Sequence, residues 1–128
     1  MVPTTPEAEK MQAVAASLFD RIERGEAIAT TSEVVLHEVC YVLASKEHYN
    51  LSPEDISAYL LPILRMPGLK LGRGEQRLYH AALNIYVRNP KLGFADAVIA
   101  ARCIADKHQL ATFDNLLGSL PDIRRWQP

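Results

Sequence analysis

The sequence predicts a three-layer α/β domain with a mainly parallel sheet, and three observations carry that expectation. Apolar residues recur at helical spacing over several stretches of helix length, each closed by glycine, proline or asparagine. Short apolar runs, too brief for helices, fall between those stretches, and strands joined through helices pair in parallel. The chain of 128 residues and 14.3 kDa has room for one domain. A compact monomer of that mass exposes about 6,800 Å², against about 20,700 Å² unfolded, so a core can form without disulfides or metal staples.

The elements follow in order. Residues Glu7 to Arg24 predict an amphipathic helix with Met11, Val14, Ala15, Leu18, Phe19 and Ile22 on one face. Thr5 and Pro6 supply a cap and a first-turn proline, and Gly25 ends the helix. Ala27 to Thr30 is a short strand. Thr31 or Ser32 caps the next helix, Glu33 to Lys46, whose apolar circumference predicts burial between other elements. A third helix opens at Ser52 and Pro53, with a kink expected at Pro62 and a stop at Pro67-Gly68. Leu69 to Leu71 is a candidate strand, Glu75 to Arg88 a helix closed by Asn89-Pro90, and Phe94 to Lys107 an alanine-rich helix. Gln109 to Thr112 reads as a strand, and Asp122 to Trp126 as a last one.

Composition narrows the function. With 48% hydrophobic and 23% charged residues the chain is of globular type. A net charge of −1 excludes nucleic-acid binding by bulk charge but not an acidic, metal-loaded site acting on nucleic acid. Cys40 and Cys103 sit in apolar helical patterns and read as free thiols. No apolar run approaches a membrane-spanning length and no leader is evident, which predicts a soluble, cytoplasmic protein with no membrane partner.

Ligands of open α/β sheets bind beyond the carboxyl ends of the strands, and three carboxylates qualify for that edge. Glu38 has Val34, Val35, Tyr41 and Val42 as helical neighbours. An acid on a buried apolar face is costly unless paired, so it is either functional, salt-bridged or misassigned to that face. Asp96 lies in the first turn of its helix, where the macrodipole alone would favour it. Asp114 follows a strand by two residues, a position that equally suits a turn or helix cap. Together the three offer an all-oxygen donor set, which suits Mg²⁺ or Mn²⁺. Other motifs fail. His37-Glu38 begins a zinc HExxH pattern, but Tyr41 stands where the second histidine belongs, and Gly72-Arg73-Gly74 is neither a dinucleotide loop nor a P-loop. His48, His80 and His108 stand singly and read as surface residues.

The segments Thr31–Val39, Gly93–Ala101 (GFADAVIAA) and Leu110–Asp114 (LATFD) resemble the PIN domain, most closely the VapC-type toxins of bacterial toxin–antitoxin pairs. The resemblance runs from about Glu7 to the C-terminus. It implies that Glu38, Asp96 and Asp114 are catalytic metal ligands for Mg²⁺ or Mn²⁺, matching the second, third and fourth acids of that family. It also implies that Thr112 holds a metal-bound water and that Ser32 is a polar neighbour of the site. The implied activity is metal-dependent cleavage of RNA, often tRNA or rRNA, in a homodimer restrained by an antitoxin protein. Arg73, Arg77 and Arg102, with Lys107, are the basic residues expected to position the RNA backbone.

One departure stands out. The family opens with a central strand ending in the first acid, and this chain passes almost directly from Met1-Val2-Pro3 into its first helix. The expectation is therefore one PIN-like domain over residues 1–128, short of its first strand, with a gap of about two strand spacings, roughly 9.6 Å. Either the start lies downstream of the true one, or the sheet closes up or recruits a strand from a partner. The rivals to an impaired ribonuclease are a non-catalytic dimerisation or antitoxin-binding module and another acid-site phosphohydrolase.

Overall fold

The computed structural model describes residues 5–128. The absence of a strand before the first helix was expected from Met1 to Pro3, and those residues lie outside the described ones. Six helices and two strands follow: α1 (Pro6–Glu23), α2 (Glu33–Ala44), α3 (Pro53–Leu64), α4 (Glu75–Arg88), α5 (Phe94–Asp106), β1 (Gln109–Leu110), α6 (Asn115–Gly118) and β2 (Arg124–Arg125).

The predicted caps are in place. Thr5 Oγ1 accepts from Ala8 N at 3.0 Å, Ser32 Oγ from Val35 N at 3.3 Å and Ser52 Oγ from Asp55 N at 3.2 Å. Ser32, not Thr31, caps α2. Each hydroxyl satisfies one of the orphan amides that a helix start leaves. Pro62 remains inside α3, which ends only two residues later, so few intrahelical bonds depend on its missing N–H.

The core lies among α3, α4 and α5, with α2 along one side. Ile56, Leu60, Tyr79, Leu83 and Val98 are buried within it. Ala82, Ala97 and Ala100 are also fully enclosed, and their small side chains let α4 and α5 approach closely. From α2 only Leu36 and Cys40 are buried, and from α1 only Ile22. Gly68 fastens the end of α1: its N–H donates to Ile22 O at 2.8 Å, and a Cβ there would run into the backbone oxygens of Ile22 and Ala27.

The sheet corrects the sequence reading. β1 and β2 pair in parallel, Gln109 with Arg124 and Leu110 with Arg125, and Ala29 forms a single parallel bridge to Leu69. No ladder joins these two pieces among the described residues. The predicted strands at 27–30 and 69–71 shrink to that bridge, because each has one partner at most. The parallel sense was legible, but a continuous three-layer sheet is not formed by the described residues.

Burial along α2 is the second correction. Val34, Val35, Tyr41 and Val42 are exposed, Val34 by 66%, and Glu38 is exposed with them. The apolar pattern was read correctly, but the elements expected to cover that face do not do so. The whole chain exposes 9,002 Å², against about 6,800 Å² for a compact monomer of its mass.

Candidate metal and nucleic-acid site

Asp96 lies in the first turn of α5 and is half-buried. Glu38 projects from the middle of α2. The two helices run antiparallel: Arg102 of α5 holds Glu33 of α2 at 2.6 Å, and Cys40 of α2 shares a cavity of about 270 Å³ with Phe94 of α5. With a rise of about 1.5 Å per residue in each helix, the register between those ties brings Glu38 to the level of Asp96.

Asp114 sits at the start of α6, beyond β1. Its Oδ1 accepts from Leu116 N at 2.9 Å and Leu117 N at 3.1 Å, so the carboxylate caps the short helix. The capping role considered for it in the sequence is real, and it occupies one oxygen. Thr112 Oγ1 accepts from Asp114 N at 3.0 Å and thereby fixes the turn that carries the acid. Ser32 spends its hydroxyl on capping α2.

These acids are not assembled. Among the described residues no three of His, Cys, Asp and Glu gather closely enough to hold a metal ion. The donor chemistry of Glu38, Asp96 and Asp114 suits Mg²⁺ or Mn²⁺, but their placement in this fold does not form a centre for either.

The basic residues divide. Arg73 and Arg77 are exposed around the start of α4. Arg102 is committed to Glu33, and that hydrogen bond raises its pKa above the ordinary guanidinium value. Lys107 ends α5 in the left-handed conformation, and its carbonyl accepts from the Arg124 guanidinium.

Two features escaped the sequence reading. The Arg125 guanidinium donates to Thr112 O from Nη2 at 2.7 Å and from Nε at 3.1 Å, and to Asn115 Oδ1 at 3.1 Å. It clamps both sides of the Asp114 turn. A signal was available: with period-2 alternation Arg125 shares the inward face with Ile123, while Arg124 and Trp126 point outward. Beside α2, the buried Tyr79 donates to Glu75 Oε2 at 3.2 Å. Burial first, and then the Glu75 charge, raise the pKa of that phenol. Only the packing of α4 against α5 could reveal it.

The frame is thus an α/β one, with acids on two adjacent helices and a third after a strand. The PIN domain family model matches residues 5–122, and the chain belongs to that family, a nuclease-type fold that often serves metal-dependent ribonucleases. Comparison with curated proteins and with solved structures gave no match. Among the described residues no helix is long and apolar enough to cross a membrane.

Proposed function

We propose that this chain is a PIN-type ribonuclease frame of the VapC toxin kind, acting on RNA phosphodiesters with Mg²⁺ or Mn²⁺. The observation that carries the reading is the family match itself, which spans all three acid-bearing segments. Glu38, Asp96 and Asp114 are the residues that would hold the ion. Thr112 and Arg125 would act on Asp114 as positioning residues, and Arg73 and Arg77 would meet phosphate. An antitoxin protein and a second copy of the chain are the partners that go with this reading.

The test is a metal-dependent RNase assay on this chain and on a version extended by an N-terminal apolar strand ending in aspartate. The extended form should cleave RNA with Mg²⁺ or Mn²⁺, and its Glu38→Gln variant should not. Silence from the extended form, or equal activity with Glu38→Gln, would sink the reading.

A second reading is favoured by the failure of the acids to gather: a binding module derived from a PIN domain, without catalysis. Manganese titration of the extended form separates the two, since a pure binding module should take up no ion through these acids.

A further inference from the structure

Charge is unevenly placed along this chain. Its net charge is −1, yet the stretch from Arg65 to Arg77 holds four cations, Arg65, Lys70, Arg73 and Arg77, against one carboxylate, Glu75. That stretch joins α3 to α4, on the packed side of the molecule. None of its cations makes a salt bridge among the described residues, although Arg24 and Arg102 do. Glu75 is engaged elsewhere, accepting from the buried Tyr79 hydroxyl.

Two cavities adjoin at this corner, of about 470 Å³ and 290 Å³, and share Leu64, Gln76 and Arg77. Lys70 lines the first, Arg65 and His80 line the second, and no Asp or Glu lines either. Bare carbonyls at the end of α3 would oppose an anion here, because a helix C-terminus carries negative potential. They are covered. Gln76 Nε2 donates to Leu64 O at 2.9 Å, Met66 N to Ile63 O at 3.1 Å and Arg65 N to Pro62 O at 3.3 Å. Arg65 Nη2 lies 3.1 Å from His80 Nε2. A guanidinium has no acceptor, so the ring nitrogen accepts. That contact steadies the Arg65 fork and leaves its other N–H groups for a ligand.

We infer that this α3–α4 corner is a contact surface for a nucleic-acid strand, in which Arg65, Lys70 and Arg77 take backbone phosphates across the two cavities. A polyanion fits cations that have no carboxylate partner. A polypeptide fits less well, because stable docking needs apolar or aromatic anchors and none of the large exposed hydrophobic side chains lines either cavity. With no Phe, Tyr or Trp in the lining to stack on bases, the surface holds the backbone and does not read sequence. RNA as the strand rests on the proposed function; the contact itself requires no cleavage, so it is measured without metal.

The experiment uses the full chain in EDTA with a short labelled oligouridylate. Anisotropy should report saturable binding whose logarithm falls against log salt with a slope of about −2, from three phosphates at about 0.7 each. Arg65→Ala, Lys70→Ala and Arg77→Ala should each weaken binding about two- to fivefold, as loss of an exposed ion pair does, and reduce the slope by about 0.7. Arg77→Lys should restore the slope, and oligoadenylate should bind within about twofold of oligouridylate. Arg21→Ala, which removes an exposed cation of α1, should leave both affinity and slope in place. Circular dichroism checks that each variant is folded. Absence of saturable binding overturns the proposal, as does binding that the three substitutions leave unmoved or that Arg21→Ala weakens equally. Polyglutamate binding as tightly as the oligonucleotide would make the occupant an acidic polypeptide, and pyrophosphate doing so would make it a free phosphate; either result overturns the strand. The RNase assay separates this surface from the proposed function. Cleavage without dependence of binding on these cations removes the surface alone, whereas binding through them without cleavage supports the surface and removes the nuclease.

Discussion

The α3–α4–α5 half of the molecule and the α1–α2 half were both read from apolar patterns, yet the first is packed throughout and the second buries only Ile22, Leu36 and Cys40. Ile56, Leu83, Ala97 and Val98 have no exposed surface at all, whereas Met11 on α1 is 72% exposed. The difference teaches that amphipathicity specifies a face that wants cover, and that tertiary structure decides whether cover arrives. Most of a protein helix's stability comes from the packing of its apolar face, so that of α1 depends on what lies against it.

The largest break in that comparison should come from the packed half. Leu83→Ala or Ile56→Ala should cost about 2–5 kcal/mol in urea unfolding, as cavity-forming truncations do. Val34→Ala, on the exposed face, should stay within about 0.5 kcal/mol. A Val34→Ala cost as large as that of Leu83→Ala would show that the two halves are not different.

Arg125→Ala should come next, at about 1–3 kcal/mol, because three hydrogen bonds to Thr112 O and Asn115 are lost and the carbonyl is left with less support. Arg125→Lys should recover only part, since an ammonium cannot reproduce the fork. Urea melts of both variants measure this.

Cys40 marks the border of the packed half, and burial raises its thiol pKa from 9.0 to about 12. The folded state therefore keeps a proton that the unfolded state releases, and stability should fall between pH 9 and 12 by up to about 1.4 kcal/mol per pH unit. Below pH 9 the term is constant. Cys40→Ala should flatten that alkaline slope in pH-dependent unfolding; an unchanged slope would assign it elsewhere. The same burial predicts that iodoacetamide modifies the half-buried Cys103 before Cys40 in the native protein.

The smallest effect is expected on α1. Its amides upstream of Ile22 should exchange with opening free energies far below those of α4, which should approach the global value. Leu18→Ser should change overall stability by no more than about 0.5 kcal/mol. Protection of α1 equal to that of α4 would mean that its apolar face is covered in solution.

Legibility in the sequence followed the range of the interaction. The α4 boundaries, Glu75–Arg88, agree with the reading, and α1, α2 and α5 differ from it by one or two residues. Caps and breakers act within a few residues and need no tertiary partner. Glu38 was singled out because its neighbours are apolar; that was right about the neighbours and wrong about their burial. Arg125 was passed over because its partners are Thr112 and Asn115, on a segment that only the parallel pairing of β2 with β1 brings within reach.

The sequence by itself determined the helices, their hydroxyl caps, the parallel sense of the short strands and the residues that mark a PIN domain, because periodicity, local hydrogen bonds and side-chain type are written in adjacent residues. Among the described residues, tertiary structure alone decided that the paired strands stand in two pieces, that the face around Glu38 is open and that no three ligating residues gather. Those outcomes depend on whether distant segments find partners for their backbone groups and apolar faces.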